Sequence, residues 1–305
     1  MNKKKIGKKV LILLAACNGE KWISKQIETI LNQKNVNISL KISIDRSTDK
    51  TIEICKKFAD GNKNISLEFN SIDNSSAAKN FYRLISKTDF KEYDFIALSD
   101  QDDIWLQNKI KYAIDIIEYE NVDVYSSDAL AFWENEDKKI YIKKSYNQKK
   151  YDFYFEAAGP GCTYVFNNKS AIFLQEFILK NYKNLKSISQ HDWLIYAILR
   201  KKNFKWLIND KALILYRQHK NNVFGANYGL KNLFYRINLL FNKWYKKQII
   251  NIIKIVGDEE DQYIFKYFLK NKTIYKFFLL VNVKDLRRRP RDKFIMFFIL
   301  LFGLI

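Results

Sequence analysis

As far as Tyr216 the chain alternates short apolar runs with amphipathic stretches. Val10-Leu11-Ile12-Leu13-Leu14 is a continuous apolar run of strand length. The turn Asn18-Gly19-Glu20 follows, and then Trp22, Ile23, Ile27, Ile30 and Leu31 recur at spacings of three and four, which predicts a helix with one apolar face. From Ile38 to Ile44, apolar Ile38, Leu40, Ile42 and Ile44 alternate with polar residues, the period of a strand. The turn Asp45-Arg46-Ser47-Thr48-Asp49 then leads into a helix over Thr51–Phe58, with Ser47 or Thr48 suited to its N-cap. Ile65–Phe69 reads as a third strand, and the small residues from Asn74 open a helix near Phe81. Phe95–Leu98 is a fourth strand, Lys109–Tyr119 a helix, Val122–Ser127 a strand and Tyr164–Phe166 strand-like. Gln190-His191-Asp192-Trp193 begins a helix backed by apolar Leu194–Leu199, and Leu213–Tyr216 is a last strand. Strand, turn and helix in repetition predict an α/β protein: a Rossmann-like, mostly parallel sheet flanked by helices. Such sheets bind ligands at the C-terminal tips of their strands.

From Tyr228 the pattern changes. Glycine nearly vanishes, and Leu230, Leu233, Phe234, Ile237, Leu240, Phe241 and Trp244 mark a basic amphipathic stripe. Arg287-Arg288-Arg289-Pro290-Arg291 then precedes an apolar tail, Phe294–Ile305. The division predicted is a catalytic domain over 1–227 and a helical, basic C-terminal extension over 228–305. The tail is too short to cross a hydrocarbon core about 30 Å thick. A basic cluster beside it predicts a segment lying on an anionic leaflet; packing against the catalytic body is the alternative. The other end carries a competing signal. Lys3-Lys4-Lys5, the run from Val10 and the box Leu14-Ala15-Ala16-Cys17 have the outline of a lipoprotein leader. The helical pattern directly after Cys17 favours a first strand that the mature protein keeps.

Charge narrows the partners. Lysine and arginine number 53 against 33 acids, a formal net charge of +20, which fits nucleoside diphosphates, nucleic acid or an anionic membrane. The 3 cysteines, Cys17, Cys55 and Cys162, stand at wide spacing and form neither a disulfide framework nor a zinc pattern, so a reducing compartment is expected. Against this basic background, Leu98-Ser99-Asp100-Gln101-Asp102-Asp103-Ile104-Trp105 crowds three carboxylates directly after an apolar strand. Such carboxylates repel one another unless a cation, a proton or hydrogen-bond donors offset them. A hard divalent ion shared with substrate phosphates is the simplest resident. Lys79 adds a cation at a helix start, where phosphate is favoured. Arg217-Gln218-His219 follows a strand and suits a diphosphate or the metal. Asp192 at a helix start reads as a cap, and Cys162 has no neighbouring histidine to activate it. Lys138–Phe155, rich in lysine and tyrosine, reads as a mobile, basic, aromatic loop over the site or, equally, as a plain solvated insertion.

Asp100-Gln101-Asp102-Asp103-Ile104-Trp105, followed by Asn108-Lys109, resembles the D-x-D region of family 2 glycosyltransferases, in the manner of bacterial rhamnosyltransferase-like enzymes of polysaccharide and O-antigen assembly. The resemblance runs from about Val10 to about Gly225. It implies a GT-A type fold, Mg2+ or Mn2+, and inverting transfer from a nucleoside diphosphate sugar. Residue by residue, it implies that Asp192 is the catalytic base and that Asp102, Asp103 and His219 hold the metal. Asp45, Lys79, Asn80, Asp100, Gln101 and Arg217 would bind the nucleotide sugar. Gly161, Cys162, Thr163, His191 and Trp193 would line the donor-sugar and acceptor pocket. The base-binding loop departs from the family pattern: Ile44 and Arg46 stand where an acid and a glycine are usual, so Asp45 is the carboxylate left for the base. The donor implied is dTDP-L-rhamnose and the acceptor a lipid-linked saccharide, which places the enzyme in the cytoplasm, peripheral on the inner face of the plasma membrane. Two rivals use the same features. A metal-dependent nucleotidyltransferase would need a glycine-rich, lysine-bearing phosphate loop that Ala15–Gly19 lacks. A basic nucleic-acid-binding protein fits the charge, but an acidic motif in its site would repel a polyanion, so nucleic acid is not an expected partner.

Overall fold

A computed structural model describes residues 7–71, 76–134, 136–219, 238–266 and 274–305. Lys3–Lys5, Asn74, Ser75, Lys220–Asn222 and the stripe positions Leu230, Leu233, Phe234 and Ile237 lie outside the described residues.

The first apolar run is β1 (Lys9–Ala16), and it is the centre of the molecule. Its even residues Val10, Ile12, Leu14 and Ala16 enter one core, and Leu11, Leu13 and Ala15 enter the other. A strand buried on both faces needs an unbroken apolar run, which explains why this segment mimics a leader. Cleavage before Cys17 would delete that central strand. Parallel neighbours flank it: β2 (Asn37–Asp45) in register from Lys9↔Asn37 to Ala16↔Ile44, and β4 (Phe95–Ser99) from Val10↔Phe95 to Leu14↔Ser99. With β3 (Ile65–Asn70), β6 (Val124–Ser127), β9 (Val165–Asn167) and β10 (Trp206–Asn209) they form a seven-stranded sheet of order β10-β6-β9-β4-β1-β2-β3. Helices α1 (Ile23–Leu31), α2 (Thr51–Asp60) and α4 (Lys109–Tyr119) cover one face; α3 (Ala77–Lys87), α5 (Asn168–Leu185) and α6 (His191–Lys201) cover the other. With glycine scarce, asparagine takes the left-handed position that ends α4 and α6: Asn121 at φ 50° and Asn203 at φ 61°.

One strand runs against the rest. β9 pairs antiparallel with both β4 and β6. Its N-terminal end, with Gly161–Thr163, therefore lies at the same sheet edge as the C-terminal tips of β1, β2 and β4. That reversal brings a small-residue turn opposite the acidic motif.

A second sheet has the order β5-β11-β7-β8, from β5 (Ile104–Trp105), β7 (Ala129–Phe132), β8 (Lys139–Ile142) and β11 (Ile214–Arg217). These strands, apart from β11, and helix α5 lie outside the elements that periodicity predicts; runs of two to four residues carry too little pattern. β11 lies antiparallel to β5 and parallel to β7, so Arg217 and His219 emerge beside the acidic motif.

Two expectations are corrected here. The Lys138–Phe155 segment is not a loose cover: it contains β8, and Tyr151, Phe153, Tyr154 and Phe155 are buried. Asp128 fastens it, accepting from Tyr141 Oη, Ser145 Oγ and the backbone N–H groups of Lys144 and Ser145. The arginine cluster, expected to face lipid, is divided. Arg288 is buried and donates to Asp152 at 3.0 Å and to the Ala157 carbonyl at 2.5 Å. Arg287 donates to the Phe155 carbonyl at 2.7 Å and to Tyr245 Oη at 3.1 Å. Asp152 also takes Tyr196 Oη at 2.9 Å and faces Arg200 at 3.3 Å. A buried charge is tolerated only when paired and hydrogen-bonded, and these are.

The C-terminal helices share the core of the catalytic body. From α7 (Trp244–Val256), Ile249, Ile252, Ile253 and Val256 join the cluster that contains Leu11 and Leu13. Leu279 of α9 (Ile274–Val281) and Met296, Ile299 and Leu300 of α10 (Pro290–Leu301) join the same cluster. The short α8 (Glu259–Ile264) is held by a capping box between Asp258 and Asp261. Among the described residues no helix is long and apolar enough to cross a membrane.

Candidate active site

The strand tips assemble one site from segments far apart in sequence. Gln101 joins the acidic motif to the first turn: its Oε1 accepts from Cys17 N at 2.8 Å and its Nε2 donates to the Cys17 carbonyl at 2.9 Å. Expected to meet the nucleotide sugar, Gln101 is a backbone clamp. A Cβ at Gly19 would strike its amide, so the turn needs that glycine. Asn18, at φ 48°, ties the same turn to the loop after β2, donating from its backbone to Ser47 Oγ at 3.0 Å and accepting from Thr48 N at 2.8 Å. Ser47 and Thr48 are thereby committed to the turn, and Lys50, without a side-chain bond, occupies the N-cap of α2.

At the tip of β2, Asp45 is buried and pairs with Arg83 at 2.6 Å and with Asn70 Nδ2 at 2.8 Å, both through Oδ1. Arg83 was not among the predicted site residues; it sits on the amphipathic α3, where an arginine reads as solvent-facing. Asn80, expected beside the nucleotide, turns inward: its Oδ1 accepts from Arg83 at 2.9 Å and its Nδ2 donates to the Ser43 carbonyl at 3.1 Å. It holds the arginine that holds Asp45. Lys79 stays half-exposed at the start of α3, its backbone N–H capped by Ser76.

The three motif carboxylates face different ways. Asp102 lies on the accessible side with its Oδ2 2.8 Å from His219 Nε2, both side chains slightly exposed. Asp103 is sequestered beneath, accepting from Arg217 N at 3.3 Å through Oδ1, while its Oδ2 is buried without a hydrogen-bond partner. One ligand atom each from Asp100, Asp103 and Cys162 lies within 4.8 Å of the others. Burial, with the charges of Asp102 and Asp192, pushes Asp100 up to about 7. Burial and the same crowding hold Asp103 well above the usual carboxylate range. Burial also raises the Cys162 thiol, so it stays protonated and is no nucleophile. Below them Lys109 is buried 3.6 Å over the Trp105 ring, and burial pushes it down to about 7.

His219 is braced from a distance. Its ring stacks on Trp22 at 4.0 Å. Trp22 donates to Glu134 Oε2 at 3.1 Å, and Glu134 also pairs with Arg217 and with Lys21 at 3.3 Å. Arg217 in turn donates from Nε to the Asp102 carbonyl at 2.7 Å. Arg217, expected on the diphosphate, therefore fixes the acidic motif. Glu134 and Trp22 were invisible in sequence because the hairpin and the turn that carry them lie 112 residues apart. Glu134→Gln is expected to weaken nucleotide binding in the presence of Mn2+ about 10- to 100-fold, the range for losing an outer support of a metal-holding histidine, the role expected of His219. Calorimetric titration of nucleotide with and without Mn2+ checks it.

At the N-terminus of α6, one helical turn sends three consecutive residues three ways. Asp192 is half-buried, its Oδ1 accepts from Trp193 N at 2.8 Å, and burial pushes it up to about 6. The adjoining His191 stacks on Phe81 at 4.1 Å, and burial pushes it down to about 3, so it is neutral. A Cβ at Gly161 would lie 2.5 Å from its Nε2, which accounts for the glycine. Trp193, expected in the sugar pocket, enters the core instead, stacking on Tyr245 at 5.5 Å and donating to the Phe153 carbonyl at 3.0 Å. Thr163 is likewise spent locally, donating to the Pro160 carbonyl at 2.7 Å. Tyr82, fully enclosed, has no partner for its hydroxyl and lies in the field of Asp192.

The family model described as Glycosyl transferase family 2 matches residues 11–179, more than half of the chain. The chain belongs to glycosyl transferase family 2. It is 40% identical over 285 residues to dTDP-rhamnosyl transferase RfbG of Shigella flexneri, an alignment covering 92% of this chain and 96% of that protein. A shorter match, 34% identical over 113 residues, covers 37% of the chain and 43% of the UDP-Glc:alpha-D-GlcNAc-diphosphoundecaprenol beta-1,3-glucosyltransferase WfaP of Escherichia coli. Among solved structures, residues 1–349 of S. aureus TarS with UDP-GlcNAc superpose with a TM-score of 0.55 at 13% identity, covering 91% of this chain and 81% of that one. The mannosyltransferase PcManGT of Pyrobaculum calidifontis, with GDP-Man and Mn2+, gives 0.55 at 11% identity, covering 91% and 76%. The fold is GT-A, as the resemblance implied, and this family 2 protein is a glycosyltransferase of the bacterial rhamnosyltransferase-like kind.

Proposed function

We propose that this glycosyltransferase moves L-rhamnose from dTDP-L-rhamnose to a hydroxyl of a lipid-linked saccharide, with inversion, in bacterial surface polysaccharide synthesis. The observation that carries the donor is the near full-length 40% identity to a dTDP-rhamnosyl transferase. Asp192 takes the proton of the acceptor hydroxyl: it opens α6 near enough to the acidic motif for its charge to raise Asp100, and its proton affinity sits close to neutrality. Asp45, oriented by Arg83, Asn70 and Asn80, reads the base. Asp100 approaches the sugar-nucleotide side, and the start of α3 with Lys79 favours phosphate.

The donor set fits a divalent ion. Burial and mutual repulsion raise Asp100 and Asp103, an orphaned carboxylate oxygen of Asp103 is buried behind them, and Asp102 turns to the accessible side beside His219. Asp102 and His219 would hold Mg2+ or Mn2+. Asp103, one ligand atom of which lies within 4.8 Å of one each from Asp100 and Cys162, would join them from beneath, while the protonated Cys162 thiol suits a hard cation poorly. When bound, such an ion offsets the negative charge of the departing diphosphate.

The test is a panel of nucleotide sugars assayed for donor hydrolysis and transfer. Turnover should be strongest with dTDP-L-rhamnose and need a divalent ion. A second reading, a UDP-hexose donor, is favoured by the glucosyltransferase match; turnover of UDP-glucose with none of dTDP-L-rhamnose would replace the first. Formation of sugar nucleotide from sugar phosphate and nucleoside triphosphate would overturn both.

A further inference from the structure

From Phe294 onward helix α10 is apolar on every side. Met296, Ile299 and Leu300 face the core, while Phe294, Ile295, Phe297, Phe298, Leu301 and Phe302 face outward. At about 100° per residue those six span one continuous arc opposite the buried three. Phe294 is 66% and Phe302 68% exposed; Phe294 meets Phe298 edge-on at 4.8 Å, and Phe298 stacks on Phe302 at 6.1 Å. The adjoining α9 repeats the design: Leu279 is buried, whereas Phe277 at 72%, Phe278 and Val281 are exposed. Lys276 Nζ joins the two helices by donating to the Leu301 carbonyl at 2.8 Å.

A surface helix of a water-soluble body carries polar residues on its outer side. Here the outer side is phenylalanine. Six such rings, at these exposures and about 200 Å² apiece, present roughly 600 Å², the upper end for a monomer that uses no such surface. The rim carries more bases than acids: Lys284 and Arg291 are exposed, Arg291 pairing with Asp292 at 3.2 Å, Arg289 is half-exposed, and Lys293 lies in the field of Lys149 and Asp285. The chain as a whole carries +20.

We propose that the outer faces of α9 and α10 form a docking surface for an anionic phospholipid leaflet, with α10 lying in the plane of the interface. This deepens the reading of a lipid-linked acceptor and rests on it. At 12 residues and about 18 Å, α10 is too short to span a leaflet pair but long enough to seat in one interface. The electrostatic contribution comes from Lys284, Arg289, Arg291 and Lys293. Arg287 and Arg288 contribute nothing, since both serve the core. Apolar insertion is the larger part, each fully buried phenylalanine being worth on the order of tenfold or more in partitioning.

The test is co-sedimentation of the full chain with phosphatidylethanolamine vesicles, with and without phosphatidylglycerol. The chain should pellet with the anionic vesicles and do so less in high salt. The triple variant Phe294→Ser, Phe298→Ser, Phe302→Ser should lose at least tenfold in partitioning, and each single variant should lose part of that. Melting temperature should hold, because all three rings are exposed. Undiminished pelleting of the triple variant would overturn the proposal. So would a lipid-free dimer that the triple variant abolishes, since the face would then cover a second copy. Calorimetric binding of dTDP to the same samples separates the two readings: vesicle binding without nucleotide binding refutes the donor site and leaves this surface standing, and the reverse refutes the surface alone.

Discussion

Replacing Asp192 with asparagine is expected to lower turnover by about 10²–10⁴-fold, the usual contribution of a positioned base, while leaving donor binding intact. Asparagine keeps the volume, and its amide oxygen can still accept from Trp193 N, so the start of α6 should hold. The amide has no affinity for the acceptor proton. The pH profile offers an independent check. Burial places Asp192 at about 6, and a base works only when deprotonated. Activity of the native chain should therefore rise as pH increases from about 5 to about 7, and that rise should vanish in Asp192→Asn. Asp102→Asn should fail in another way. It removes the charge opposite His219, so nucleotide binding should lose its dependence on Mn2+. Thermal stabilisation by dTDP with and without Mn2+ distinguishes the two. Near-normal turnover of Asp192→Asn would move the base to another residue.

Replacing Arg288 with alanine is expected to destabilise the protein by about 3–5 kcal/mol, the range for removing one partner of a buried ion pair. Asp152 and Arg288 are both fully enclosed, and the guanidinium also satisfies the carbonyls of Ala157 and Ala158. Among the described residues alanine would leave the Asp152 carboxylate with Arg200, at 3.3 Å, as its remaining cation and would orphan those carbonyls. Ending the chain before Arg287 removes the same arginine together with buried Met296, Ile299 and Leu300. Each such side chain is worth about 1.5–3 kcal/mol, so the truncated chain should unfold or aggregate. The tail therefore packs against the body, the alternative that the sequence left open. Arg291→Ala is the control: its side chain is more than half exposed, and surface changes stay within about 0.5 kcal/mol. Denaturant melts of the three chains decide it. A truncated chain as stable as the native one would mean that Arg288 and α10 contribute no net stability.

Much of the catalytic half was legible from local pattern. β1, β2, β3 and β4 were each readable within one or two residues, because a strand buried on both faces or on one must spell that burial in its own residues. The acidic motif at the tip of β4, the imidazole after β11 and the carboxylate opening α6 could be named for the same reason: each follows or begins an element the sequence announces. What each side chain does was decided by tertiary structure. Asn80, Gln101 and Arg217 have the chemistry to bind a nucleotide sugar, yet their polar atoms are spent on Ser43, Cys17 and Glu134. Trp193 stands one residue from Asp192 and still points into the core, because a helix turns successive residues about 100° apart. The arginine cluster was read by charge, but its register on α10's approach put Arg288 against Asp152, 136 residues away. Composition and periodicity report what a segment can do. Which neighbour it meets depends on pairings across the chain that no local window contains.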